Sequence, residues 1–211
     1  MDEIFERIER RGEIEIVVLD PPACNYAKDY HLYEMFEGLN RVKEGKLLRA
    51  NLLATLPDPA IFFIYDAPED VLKKYFSREE IAVIREYRAI EEIIAREASR
   101  EPEPLAPMRR EVGEFVSKLI MAFESVDFDT FADIIFKLAM LQVSIKCLAN
   151  TELAERVFRK EFDEIAKYFE KWKKGEISFD EFWAKTSKYR RRMNEKLRGL
   201  DFIIWKRGKE K

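Results

Sequence analysis

The chain has 211 residues, 47% of them apolar and 37% charged, and its 38 basic and 41 acidic side chains nearly cancel to a net charge of −3. That is enough polypeptide for one domain, or two small ones, with a buried core, and it is too apolar for intrinsic disorder. Seven glycines and eight prolines exclude collagen-like and low-complexity chains, and no run of eighteen apolar residues supplies a membrane-spanning helix.

Near the N-terminus, Glu13-Ile14-Glu15-Ile16-Val17-Val18-Leu19 is β-branched and begins as an alternation. It stops at Asp20-Pro21-Pro22, where proline removes a ladder donor, so the pattern predicts a strand. From Asp29 to about Leu56 the spacing of Tyr30, Tyr33, Phe36, Val42, Leu48 and Leu52 is helical, with Gly38 and Gly45 as bends or ends. The next apolar run, Ala60-Ile61-Phe62-Phe63-Ile64-Tyr65, is short and lies between Pro57-Asp58-Pro59 and Asp66-Ala67-Pro68, which predicts a second, buried strand. Strand, helix, strand makes a small βαβ element with a parallel pair, and it would bring Asp20 and Asp66 to the same end of the sheet.

Ser77-Arg78-Glu79-Glu80 has the spacing of a capping box and opens a helix expected to reach about Ala98. Glu101-Pro102-Glu103-Pro104-Leu105-Ala106-Pro107 cannot be helical and divides the chain into residues 1–100, a linker at 101–107 and a helical part at 108–211. In that last part, helices are expected over Val112–Phe123, from Asp129 or Thr130 through a segment apolar on more than one face, over Glu155–Lys174 ending at Gly175, and from Ser178 toward Leu197. Residues 201–205 fit either a terminal strand or the end of a helix. The fold class read from these patterns is α+β, predominantly α-helical, with the βαβ element followed by a helical bundle.

Two faint family likenesses sit on the N-terminal part. Asp20-Pro21-Pro22 resembles the Asp-Pro-Pro-aromatic motif of amino-group methyltransferases, although Ala23 takes the aromatic position. The order of elements from Val17 to Lys74 resembles the middle of thymidylate-kinase-like phosphotransferases, which implies βαβ architecture. The phosphate-cradling Gly-rich loop of that family is missing from residues 1–211, and Pro21 stands where its arginine usually follows the aspartate. No cofactor motif is complete, so no cofactor is expected.

Carboxylates beyond the ends of strands are common ligand-binding groups, which makes Asp20 and Asp66 candidates for a shared divalent cation, with Asp58 nearby. Cys24 and His31 are a candidate thiol and base. These residues define an enzyme reading, nucleotide- or metal-dependent, with its site at the carboxyl ends of the strands. A second group is electrostatic. Residues 185–211 carry eleven cations against three carboxylates, a net of +8, so the preceding 184 residues sum to −11. Lys188, Arg190, Arg191, Arg192, Arg198, Lys206 and Arg207 are the candidate nucleic-acid contacts, with Tyr189 and Trp205 available for stacking.

The leading expectation is nevertheless a non-enzymatic interaction or assembly protein with a protein partner or a homo-oligomeric state, because helix-packing capacity is ample and no reactive constellation is complete. Trp172 and Trp183 are its candidate interface anchors. Abundant Lys, Arg and Glu beside one Gln (Gln142) and one His (His31) point to a thermophilic prokaryote. Cys24 and Cys147 are far apart, and the acidic start Met1-Asp2-Glu3 does not look like a secretory signal, so the expected location is the cytoplasm, with no membrane association.

Overall fold

The computed structural model describes residues 30–98, 117–118, 120–148 and 151–209, with side chains over 32–58, 60–96, 117–118, 120–143 and 156–196. Every regular element among them is a helix: α1 (Tyr30–Lys43), α2 (Arg49–Ala54), α3 (Asp58–Tyr65), α4 (Glu69–Leu72), α5 (Arg78–Ala98), α6 (Phe128–Leu148), α7 (Thr151–Lys173) and α8 (Phe179–Lys209), with a further helical turn at 120–124. The chain forms two compact units, one of Met35–Leu138 and one of Met1–Glu34 with Ala139–Lys211. The Pro-rich stretch 101–107, and the boundary expected there, lie outside the described residues, as does the strand expected at 13–19.

The strand expected at 60–65 is the main correction. Those residues belong to α3, so no βαβ element is built on them, and the α+β class and the phosphotransferase-like order of elements fall with it. The physical reason lies at both ends of the run. Pro57 is extended and Pro59 occupies the first turn, where a missing N–H costs nothing because the helix has no partner for it there. At the other end, Arg88 of α5 donates to the carbonyls of Phe63 at 3.1 Å, Ile64 at 2.6 Å and Ala67 at 2.9 Å. A guanidinium placed there satisfies acceptors that a short helix leaves open and complements the negative end of its dipole. Ala60, Phe63, Ile64 and Ala67 are the buried positions, a helical stripe, while Phe62 stays exposed.

Around α3 the first unit is assembled by side chains that terminate helices. Gly45 takes φ +70° and ends α1, with Lys46 N–H returning to Arg41 O at 2.8 Å. Gly38 lies inside α1 rather than at a bend, and a Cβ there would meet Leu52 Cδ1 at 2.6 Å, so the glycine is what lets α2 lie close against α1. The first N–H of α2, from Arg49, is taken by Glu124 Oε1 at 2.6 Å, and the Arg49 guanidinium donates to Val126 O while lying 5.4 Å from the centre of the Phe131 ring. The expected capping box at α5 forms: Ser77 N–H donates to Glu80 Oε2 at 2.6 Å and Glu80 N–H to Ser77 Oγ at 3.2 Å, and Lys137 of α6 donates to the same carboxylate at 2.5 Å. Tyr87 fills the centre, its ring 4.9 Å from that of Phe123 and 6.4 Å from that of Phe131.

The segment apolar on several faces is α6. Phe131, Ile134, Ile135 and Leu138 lie in the first unit's core and Ala139 to Val143 are buried in turn, as expected for a helix with neighbours on all sides. It starts two residues before Thr130, with Asp127 Oδ2 accepting the Thr130 N–H at 3.0 Å.

In the second unit α7 and α8 form an antiparallel hairpin. Gly175, at φ +78°, ends α7, and a second capping box opens α8, with Glu181 N–H donating to Ser178 Oγ at 3.1 Å. Phe169 and Trp172 meet Phe182 near the turn, Glu164 accepts from the Tyr189 hydroxyl at 2.8 Å farther along, and Lys196 reaches Glu161 at 2.6 Å and Val157 O at 2.7 Å beyond that. Residues 201–205 lie within α8, which resolves the choice at that segment in favour of helix and carries it twelve residues past Leu197.

Two predictions follow from the first unit. Arg88→Met leaves three carbonyls without their donor, and urea unfolding is expected to show a loss of about 2–4 kcal/mol; an unchanged midpoint would mean that α3 holds its end without Arg88. The second concerns alkaline pH. Burial and the neighbouring Glu91 push the Tyr65 hydroxyl up to about 12, and burial pushes Tyr87 higher still against the opposing charge of Arg49. An unfolded tyrosine ionises near pH 10, so the folded state holds these protons more tightly, and its stability is constant below about pH 10 and falls as pH rises through about 12. Tyrosinate absorbance should therefore show two late-ionising tyrosines whose signal coincides with unfolding, and Y65F/Y87F should shift that transition to higher pH.

Candidate functional site

The residues of the enzyme reading are not brought together by the described structure. Asp20 and Cys24 lie outside the described residues, and His31 lies in the first turn of α1, with its side chain outside them. Asp58 and Asp66 are exposed at opposite ends of α3, and Asp66 lies within the field of Arg88. Asp66 is thus a helix C-cap and not the end of a strand, which removes the geometric reason for pairing it with Asp20. Among the described residues no group of three or more His, Cys, Asp or Glu side chains is arranged to hold a metal ion.

The basic candidates divide by helix face. Lys188, Arg191 and Arg192 are exposed on α8. Arg190, by contrast, is only 5% exposed. Its guanidinium lies 3.4 Å from the centre of the Trp183 ring and donates to Trp183 O at 3.0 Å and to the Thr186 hydroxyl. That side chain is engaged as a core cation, desolvated and hydrogen-bonded, and cannot also reach a phosphate. Arg198, Lys206 and Arg207 lie on α8 with side chains outside the described residues.

The turn end of the hairpin gathers aromatic rings because the capping box sets Phe179, Phe182 and Trp183 at i, i+3 and i+4 on one side of α8. Phe182 and Trp172 are buried, Trp172 at 3% exposure, so this candidate anchor belongs to the core. Trp183 is half-buried. Phe179 stacks on it at 6.4 Å, and Tyr33 of α1 meets it edge-on at 5.1 Å and Phe179 at 6.0 Å. Tyr33 remains 41% exposed, so a three-ring surface with Arg190 beneath it reaches solvent.

Along the α7–α8 seam a different surface forms. The rings of Tyr168 and Tyr189 lie 6.3 Å apart, Lys171 stands 6.0 Å from the first and Lys188 4.7 Å from the second. Glu164 is held between the helices by Lys167 at 2.5 Å and by the Tyr189 hydroxyl. Those two hydrogen bonds lower the carboxyl of Glu164 from its ordinary range, and the carboxylate in turn raises the Lys167 ammonium. The α7 lysines were not singled out by the sequence reading, which followed local charge excess. The signal for them was the placement of Lys160, Lys167 and Lys171 at i, i+7 and i+11.

No helix among the described residues is long and apolar enough to cross a membrane. Comparison with known proteins finds no matching family model, no matching curated protein and no matching solved structure. The arrangement around Trp183 has a direct spectroscopic test. In a fluorotryptophan-labelled chain, with the resonance assigned through Trp183→Phe, Arg190→Gln is expected to shift the Trp183 signal and to lower stability by about 1–2 kcal/mol; an unmoved resonance would show that the guanidinium does not cover that ring.

Proposed function

We propose that this chain is a non-enzymatic interaction or assembly protein of a thermophilic prokaryote, acting in the cytoplasm and associating with a second copy of itself through the aromatic surface of Tyr33, Phe179 and Trp183. The observation that carries this reading is the gathering of three rings from two separated helices into a cluster that still presents Tyr33 to solvent. Aromatic side chains offer large contact area at low conformational cost and dominate the centres of interfaces. A two-fold arrangement would set one cluster against its own copy, the commonest way for a single surface to be satisfied. The charged-residue balance supports the thermophilic assignment, and two widely separated cysteines support a reducing compartment.

Sedimentation velocity of the full chain over about a hundredfold range of concentration tests this. Mass is expected to rise with concentration, and Tyr33→Asp, which places a charge on the exposed ring position, is expected to weaken association by about tenfold or more. A chain that stays monomeric throughout, or associates equally well as Tyr33→Asp, would contradict the reading.

A further inference from the structure

The exposed cations of the hairpin are not distributed evenly around its two helices. On α7, Lys160, Lys167 and Lys171 are exposed, and on α8, Lys185, Lys188 and Arg192 are exposed; Arg156, Arg159 and Arg191 are exposed beyond this set. Within each helix these positions repeat at three-, four-, seven- or eleven-residue intervals, so each set forms a stripe along one face. The two stripes flank one seam. Lys171 stands over Tyr168, Lys188 over Tyr189, the two rings are neighbours across the helices, and Lys167 and Lys188 both act on Glu164. Six cations thus line one solvent-facing ridge. Four carboxylates lie on or beside it: Glu164 is paired with Lys167, Glu181 with Lys185 at 3.6 Å and Glu195 with Arg191 at 3.7 Å, and the exposed Asp163 acts on Lys167 from between Lys160 and Lys167. The two longer pairs, Lys185 with Glu181 and Arg191 with Glu195, are exposed and weak and are readily exchanged for a stronger anion.

We propose that this seam is a nucleic-acid docking surface that takes the phosphate backbone without reading sequence. On α8 Lys185, Lys188 and Arg192 follow one another at about one helical turn, about 5.4 Å, and on α7 Lys167 and Lys171 do the same with Lys160 two turns before them, so the two lines present repeated charge to a polymer whose own charges are regularly spaced. Lysine supplies five of the six positions and offers a point charge suited to phosphate oxygens rather than the planar fork that reads base edges. The site differs from the one suggested by charge excess at the C-terminus, because it draws half its cations from α7 and excludes Arg190. It is also separate from the aromatic surface at the hairpin turn, so either can fail while the other stands.

Fluorescence anisotropy of a labelled oligonucleotide, single-stranded and duplex in separate titrations with the full chain, provides the test. Binding is expected at low salt, with the logarithm of affinity falling linearly against the logarithm of salt concentration. The variant K167Q/K171Q/K188Q is expected to lose about tenfold or more in affinity and to show a shallower slope, while K74Q/R78Q, two exposed positions of the other unit, should bind as the original chain does. All substituted side chains are exposed, and a thermal melt checks that each variant is folded. Tyr33→Asp should bind normally, which separates this surface from self-association. Absence of binding at low salt, equal binding by the seam variant, or polyglutamate binding as tightly as the oligonucleotides would overturn the proposal.

Discussion

The antiparallel pairing of α7 with α8 is the contact that creates the cationic seam, and it also supports the aromatic surface, because Trp172 of α7 meets Phe179 at 6.4 Å beneath the cluster that Tyr33 of α1 completes. That pairing is anchored at three levels. Phe169, Trp172 and Phe182 fill the end near the turn, the Tyr189 hydroxyl meets Glu164 in the middle, and Lys196 closes on Glu161 and the Val157 carbonyl toward the far end. The side chain of Glu161 is only 3% exposed, so its charge must be answered within the hairpin. Lys196 answers it from a position that keeps its own stem partly in water, which limits the desolvation penalty. A slip by one turn would strand that carboxylate and separate Tyr168 from Tyr189, so packing and electrostatics select the same register.

Within the other unit, helix ends are held by residues from distant positions. Arg88 covers the end of α3, Glu124 receives the start of α2, and Lys137 shares the carboxylate that caps α5. These partners lie 24, 75 and 57 residues from the groups they serve. Arg88 and Glu124 take up backbone groups that their helices leave without an internal partner, and Lys137 adds a counter-charge to a carboxylate already bonded to the Ser77 N–H, all in partly dry settings where the loss is felt most. Short helices such as α2 and α3 would be marginal alone, and tertiary capping is what makes them regular.

That dependence explains which parts of the fold were legible in the sequence. Local devices were readable: Ser77 with Glu80 and Ser178 with Glu181 start helices where their spacing says, and Gly45 and Gly175 end them with left-handed backbone. The run 60–65 was misread because six apolar residues satisfy a strand and a short helix equally, and the group that decides, Arg88, is not local. Extended to Ala67, the pattern is a helical stripe of Ala60, Phe63, Ile64 and Ala67, which the prolines bounding the short run conceal. The sites were legible to a similar degree. Counting charge along the chain found α8 but could not tell Arg190, which faces Trp183, from Arg191 and Arg192, which face water; it also passed over Lys167 and Lys171, whose relation to Lys188 arises only when the hairpin closes.

The central claim is that both surfaces are built on α8, one with α7 and one with Tyr33 of α1, and hydrogen exchange of the full chain tests it most directly. Residues 30–34 and 179–184 should gain protection as concentration rises, and residues 160–171 and 185–192 should gain it when an oligonucleotide is added at low salt, with Met35–Leu138 unchanged in both experiments. Protection changes confined to Met35–Leu138 would contradict the account.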